Sequence, residues 1–183
     1  MEGNRNGSMS YRPASESDLD EIFALVKASI AVMDRQGIPQ WDEVYPARGD
    51  LLRDIQAASL FVGETAFSGD GAARGGKRIA VIYVLNTECY EGYENAAWQC
   101  RDGFRVIHRL CVHPDFQHQG IARQTLSHIE QEAVRLGATS LRLDTFSLNP
   151  YSLRLYEHAG YRKTGEAQWR KGLFYLMEKV LVN

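Results

Sequence analysis

The sequence predicts one α/β or α+β domain, and three observations point there. Segments of helical period alternate with short apolar runs from end to end. No linker-like stretch divides them, and 183 residues are enough to bury one core. The composition is ordinary for a globular chain, with 44% hydrophobic and 24% charged residues.

Residues 1–9 are polar and rich in glycine and asparagine. They are expected to be disordered or a remnant foreign to the natural chain, with Met9 near its start, so that the folded domain occupies 10–183. Tyr11-Arg12 reads as a short first strand. Ser17 is placed to cap a helix whose apolar positions Leu19, Ile22, Phe23, Val26, Ile30 and Met33 follow the helical period until Gly37. After Gln40-Trp41-Asp42-Glu43-Val44-Tyr45-Pro46, a short helix carries Leu51, Leu52 and Ile55. Leu60 to Ala66 is a strand. The glycine-rich run Ser68 to Gly76 reads as a hairpin turn into the strand Arg78 to Leu85. Thr87 to Asp102 is a long connection containing Trp98.

The second half is read more sharply. Phe104 to Val112 is a strand, His113 to Gln119 a loop, and Ile121 to Leu136 a helix closed by Gly137. Leu141 to Phe146 is the next strand. Pro150 suits the first turn of a helix that Gly160 ends. Tyr161 to Gly165 and Phe174 to Val182 supply the last two strands.

Charge and cysteine usage exclude several functions. Twenty-one basic residues face 23 acidic ones, a net charge of −2. That balance does not suit a protein that grips nucleic acid electrostatically. The longest apolar run, Ile79 to Leu85, is too short to cross a bilayer, so no membrane partner is expected. Residues 1–10 lack the apolar segment of a secretory signal. Cys89, Cys100 and Cys111 are odd in number and lack CxxC spacing, which argues against a disulfide framework or a metal site and for a cytoplasmic location. A small-molecule or peptide partner fits best.

The strongest chemical feature is the passage Leu110-Cys111-Val112-His113-Pro114-Asp115-Phe116-Gln117-His118-Gln119-Gly120-Ile121-Ala122, from strand through loop into helix. A helix start leaves backbone N–H groups without partners, and its dipole favours an anion. Gly120 and Ala122 put little side chain in the way of a phosphate. Taken alone, the same pattern serves tight packing equally well. Neither GxGxxG nor GxxxxGK[ST] occurs.

Two motifs together carry a resemblance. Gln117-x-x-Gly120-x-Ala122 after a strand resembles motif A of the GNAT family of N-acetyltransferases. Asn149-x-x-Ser152-x-x-Leu155-Tyr156-x-x-x-Gly160-Tyr161 resembles the motif B of the same family, in the expected order and separation. The resemblance covers at least Phe104 to Tyr161. It implies a single domain with a mixed, mostly antiparallel sheet of six or seven strands and about four helices. It also implies a splay between the motif A strand and the strand that follows.

The implied function is acetyl-CoA-dependent transfer of an acetyl group to a primary amine of a small molecule or peptide. The resemblance assigns acetyl-CoA to Leu110, Cys111, Val112, Gln117, His118, Gln119, Gly120, Ile121, Ala122, Asn149 and Tyr156. Gln119 stands where the family commonly has a basic residue, which predicts a weaker hold on phosphate. Asn149 is either a pantetheine ligand or a plain cap for the helix after it. Tyr156 takes the family's position for the acid that protonates the departing thiolate; the other reading is aromatic packing beside Leu153.

An alkyl ammonium has a pKa near ~10, so a base or water relay is needed. His108, expected on the same strand face as Leu110 and Val112, is one candidate, and a structural histidine is the alternative. Glu43 is a second candidate. Asp144 is read as orienting a neighbour or pairing with Arg142 or Arg109. Trp41 and Tyr45 are candidate substrate contacts, with Trp98 closing the pocket, or else loop anchors. A non-catalytic acetyl-CoA sensor and a protein N-terminal or lysine acetyltransferase remain as alternatives. The apolar terminal strand permits a homodimer.

Overall fold

The computed structural model describes residues 9–66 and 76–181. Seven strands form one sheet: β1 (Ser10–Pro13), β2 (Leu60–Ala66), β3 (Lys77–Asn86), β4 (Phe104–Val112), β5 (Ser140–Phe146), β6 (Arg162–Trp169) and β7 (Gly172–Val180). Their order is β1-β2-β3-β4-β5-β7-β6, and only β4 and β5 pair in parallel. Four α-helices accompany them: α1 (Leu19–Arg35), α2 (Arg48–Gln56), α3 (Ile121–Arg135) and α4 (Pro150–His158). The expected mixed, mostly antiparallel sheet is therefore present. Ser68 to Gly75 of the expected hairpin turn lie outside the described residues, and the strands on either side pair antiparallel from Ala66↔Lys77.

The core has two layers, one on each face. Ile22, Leu25 and Val26 of α1 and Leu51 and Ile55 of α2 bury against Leu60, Val62, Ile82, Val84 and Cys111. On the other face, Leu126, Ile129 and Ala133 of α3 and Tyr156 of α4 meet Tyr83, Ile107, Leu141 and Leu143. Each helix exposes its polar stripe and buries its apolar one, as the 3.6-residue period requires.

Several boundaries differ from the sequence reading, for identifiable reasons. Ser17 does not cap α1. A 3₁₀ turn precedes it, and Ser15 is the residue at its start, where the Ser15 amide and hydroxyl both donate to Asp18 Oδ2, at 2.7 and 2.8 Å. Asp18 also takes a forked hydrogen bond from Arg12, at 2.7 and 2.9 Å, which fastens the helix entrance to β1. Strand β6 extends past Gly165 to Trp169, and β7 begins at Gly172, so Arg170-Lys171 is the tip of a hairpin. The polar run of β6 conceals this, because it is an edge strand whose Ala167 alone is buried.

Residues 87–102 are the largest departure from a bare connection. Ala97 N donates to Thr164 O at 2.9 Å, and a Cβ on Gly165 would stand 2.8 Å from that of Ala96. Glycine at 165 is what allows this segment to lie so close to β6. Below it sit Tyr93, Val106, Ala167 and Leu176 as a third apolar cluster.

Candidate active site

The site originates in an opening between β4 and β5. Their parallel pairing ends at Ile107↔Leu143, whereas β4 runs on to Val112 and β5 to Phe146. Beyond Ile107 the β5-facing edge of β4 has no strand partner among the described residues. A bulge reinforces the change of direction. Between the pairs Val84↔His108 and Ile82↔Cys111, strand β3 contributes one residue and β4 two, Arg109 and Leu110. Arg109 takes φ +52°, a left-handed conformation unusual for a side-chain-bearing residue.

The bulge corrects one expectation. His108 is cross-strand from Val84 on the α1–α2 face, while Leu110 packs with the cluster on the α3 face. The period of two is broken at Arg109, so His108 does not share a face with Leu110 and Val112. Its Nε2 lies 3.1 Å from Glu88 O. Burial, helped by the Arg109 charge, pushes its pKa down to about 4.

Two cavities of about 380 Å³ each meet at the opening. One runs along α3 and α4 and is lined by Leu110, Cys111, Val112, Gln117, His118, Gly120, Ile121, Ala122, Asn149 and Tyr156. The other lies under the 40–46 segment and the 87–102 connection, with Tyr45, Tyr90, His108, Arg109, Trp169 and Phe174 in its wall. Gln40, Trp41, Leu110, Asp144 and Tyr156 line both.

The first cavity ends at the start of α3. Gly120 caps this helix at φ +79°, and His118 just before it has φ +60°. Gln124 N is bonded to Gly120 O at 3.0 Å, which leaves the N–H groups of Ile121, Ala122 and Arg123 without carbonyls inside the helix. A Cβ on Gly120 would meet nothing within 4 Å, so the cradle is open there. Gln117 Nε2 braces the loop on Val112 O at 3.2 Å.

Gln119 is the exception among the motif residues. It is exposed, donates Nε2 to Asp115 O at 3.0 Å, and does not line the cavity; Arg123, one turn into α3, does. Asn149 fulfils the capping reading: its Oδ1 accepts from Tyr151 N and Ser152 N at 3.2 Å each. Its Nδ2 donates to Gln40 Oε1 at 2.8 Å, which ties the 40–46 segment to the head of α4.

At the junction, Asp144 Oδ2 accepts from the Tyr93 hydroxyl at 2.9 Å, and burial pushes the carboxyl pKa up to about 6. Asp144 pairs with neither arginine named for it: Arg109 pairs with Asp54 at 2.8 Å, and Arg142 with Glu178. Tyr156 is buried and its phenol is raised above the usual value by desolvation, with the Asp144 charge adding. Trp41 and Tyr45 line the second cavity. Glu43, the other candidate base, is exposed and is not among the residues lining either cavity. Trp98 is also absent from both walls. Its indole donates to Tyr93 O at 2.7 Å and covers the Arg142 guanidinium instead.

The sequence reading does not place Tyr90, Trp169 and Phe174 in the site, and it names Arg109 only as a possible partner of Asp144. Arg109 alone carried a signal, as a charge inside the apolar strand Val106 to Val112. At the mouth, Arg170 forks onto Asp42 at 2.8 and 2.9 Å and Lys171 reaches it at 3.1 Å. This closes the β6–β7 hairpin over the 40–46 segment.

The model of the acetyltransferase (GNAT) family matches residues 30–161, well over half of the chain. The chain belongs to the GNAT family of acetyltransferases. It is 37% identical over 71 residues to the L-methionine sulfoximine/L-methionine sulfone acetyltransferase of Salmonella typhimurium, a stretch covering 38% of this chain and 42% of that protein. The L-amino acid N-acyltransferase MnaT of Escherichia coli is likewise 37% identical over 71 residues, covering 38% and 41%. These matches span less than half the length of either relative. A GNAT acetyltransferase structure from Streptococcus agalactiae superposes with a TM-score of 0.79 at 22% identity, covering 96% of each chain. A Salmonella typhimurium acetyltransferase solved with acetyl-CoA gives 0.64 at 18% identity, over 96% of this chain and 95% of that one. Both share the fold of this GNAT member. Among the described residues no helix is long and apolar enough to cross a membrane, and no group of His, Cys, Asp or Glu could hold a metal ion.

Proposed function

We propose that this protein transfers the acetyl group of acetyl-CoA directly to a primary amine of a small molecule or peptide. The observation that carries the proposal is the meeting of two cavities at Asp144 and Tyr156, through the gap between β4 and β5. A donor entering from one face and an acceptor from the other would face each other there.

The donor cavity fits the cofactor. Three free N–H groups at a helix start, an open Gly120 and the Arg123 charge suit a pyrophosphate. The unpaired edge of β4 near Leu110 to Val112 suits an extended amide-bearing arm. When bound, acetyl-CoA supplies the acetyl group as an activated thioester. A coenzyme A complex of a Thermoplasma acidophilum relative has the same fold, with a TM-score of 0.64 at 16% identity and coverage of 94% and 99%.

Asp144 is the base. Raised to about 6, its carboxyl is ionised at neutral pH yet is a better proton acceptor than an ordinary aspartate. It takes one proton of the incoming ammonium, the amine nitrogen bonds to the acetyl carbon, the C–S bond breaks, and the second proton, shed by nitrogen as the amide forms, replaces the one that Tyr156 gives up. Tyr156, kept protonated by burial, gives its proton to the departing sulfur. His108 is neutral in this setting, but at a pKa of about 4 it is too weakly basic for the task.

The test is thiol release from acetyl-CoA by purified protein against a broad panel of primary amines. Acceptor-dependent release is expected. Tight acetyl-CoA binding with no release from any amine would overturn the proposal in favour of a sensor.

A further inference from the structure

The acceptor cavity has two unlike poles. On the β4 side stands Arg109, with a side chain only 9% exposed. Its Nη1 meets Asp54 at 2.8 Å and its Cζ lies 5.1 Å from the Tyr45 ring centre, while Nε has no hydrogen-bond partner among the described residues. Next to it, the hydroxyls of Tyr45 and Tyr90 are 3.3 Å apart. This wall is rich in hydrogen-bond donors. Across the opening on β5 stands the Asp144 carboxylate, whose Oδ2 accepts from the Tyr93 hydroxyl. The rings of Tyr90, Trp169 and Phe174 belong to the same cavity wall.

A buried guanidinium with N–H groups to spare is a costly feature unless an anion completes it. The position is not incidental to the strand either. The left-handed turn of Arg109 breaks the β4 alternation, and such strain concentrates at functional sites. A simple amine would satisfy Asp144 and leave the donor wall unmet. A molecule carrying ammonium and carboxylate on one carbon would satisfy both poles at once, since they stand on neighbouring strands just past the last β4–β5 pair.

We infer that the acceptor is a free α-amino acid with an aromatic or other apolar side chain, its amine at Asp144 and its carboxylate at Arg109, with the side chain against Tyr90, Trp169 and Phe174. The inference rests on the acetyltransferase reading above and adds the substrate class. Arg109 becomes the specificity-determining residue, bridging Asp54 behind it and the substrate carboxylate in front.

The experiment compares phenylalanine, tryptophan, methionine and leucine, each beside its amide and its decarboxylated amine, by thiol release and by thermal-shift binding to the acetyl-CoA-loaded protein. At least one amino acid should exceed its amide and amine by about a hundredfold in kcat/KM, because a site built for a charged partner rejects the analogue lacking it. Arg109→Gln should shrink that preference at least tenfold, chiefly through KM. Amides or amines that react as well as the amino acids would overturn this inference alone, and the wild-type comparison decides it even if the variant does not fold. No release from any acceptor would sink the acetyltransferase reading and this inference with it.

Discussion

The Tyr93 hydroxyl donates to Asp144 Oδ2 at 2.9 Å and so holds a carboxylate at the point where both cavities open. Burial raises Asp144 from 3.8 to about 6 and lowers His108 from 6.5 to about 4. The two shifts act oppositely on stability. For Asp144 the folded state holds the proton longer, so its contribution falls as pH rises from about 4 to 6. For His108 the unfolded state binds the proton first, so its contribution rises between about 4 and 6.5. In the wild type the two act against each other. Relative to it, Asp144→Asn should gain stability as pH rises from 4 to 6 and melt higher at pH 7. His108→Gln should show the opposite slope. Melting curves across this range check both, and parallel profiles for all three proteins would contradict the shifts. In activity, kcat/KM should drop below about pH 6, and Asp144→Asn should lose about a thousandfold.

Tyr156 has a different signature. Its ring packs edge-on against Tyr161 at 5.8 Å between centres, so Tyr156→Phe keeps the packing and removes only the proton. We expect kcat to fall about a hundredfold with little change in KM for either substrate. Steady-state kinetics separate this from a packing role, which would leave kcat near wild type.

On the proposed reading, Arg123 supplies the charge missing at Gln119. Gln119 is folded back on Asp115 O, whereas Arg123 lines the donor cavity. Gln119→Arg should therefore change acetyl-CoA affinity less than threefold, and Arg123→Gln should weaken it about tenfold, the worth of one hydrogen bond to a charged group. Titration calorimetry at low and moderate salt measures both. A larger gain from Gln119→Arg than the loss from Arg123→Gln would reverse the assignment.

How far the sequence reaches is clearest by comparing donor and acceptor. The donor site is local: Gln117 to Ala122 is one loop and one helix start, and short-range chemistry dictates its shape. Asn149 was legible for the same reason, as a helix cap. The acceptor site is assembled from the 40–46 segment, the 87–102 connection, the β4 bulge and the β6–β7 hairpin, which no local period connects. Arg109 escaped because strand alternation is a rule about regular strands, and the bulge is where the rule fails. Asp144 is visible in the sequence, but the role proposed for it depends on Tyr93, which approaches from 51 residues away. Trp98 was assigned to a pocket by its residue type, yet it serves as the roof of a buried ion pair.

That ion pair holds the 87–102 connection in place. Glu178 accepts from Gln99 N at 2.6 Å, Cys100 N at 3.4 Å and Ser140 Oγ at 2.8 Å. Arg142 Nε lies 3.7 Å from the same carboxylate, and both side chains are at most 5% exposed. The Trp98 and Phe104 rings lie 4.3 and 3.7 Å from the guanidinium. Removing the carboxylate leaves three donors unpaired and the buried Arg142 cation with Cys100 O and the two rings but no counter-charge, so Glu178→Ala should cost about 3–5 kcal/mol. For a domain of this size that lowers Tm by about 10 °C. Glu178→Gln keeps an acceptor oxygen and should fall between. Because Tyr90 and Tyr93 belong to the segment Glu178 anchors, the acceptor KM should rise in Glu178→Ala well below its Tm, while acetyl-CoA affinity stays near wild type. Equal loss of both affinities would mean that the network supports the whole sheet, not the acceptor wall.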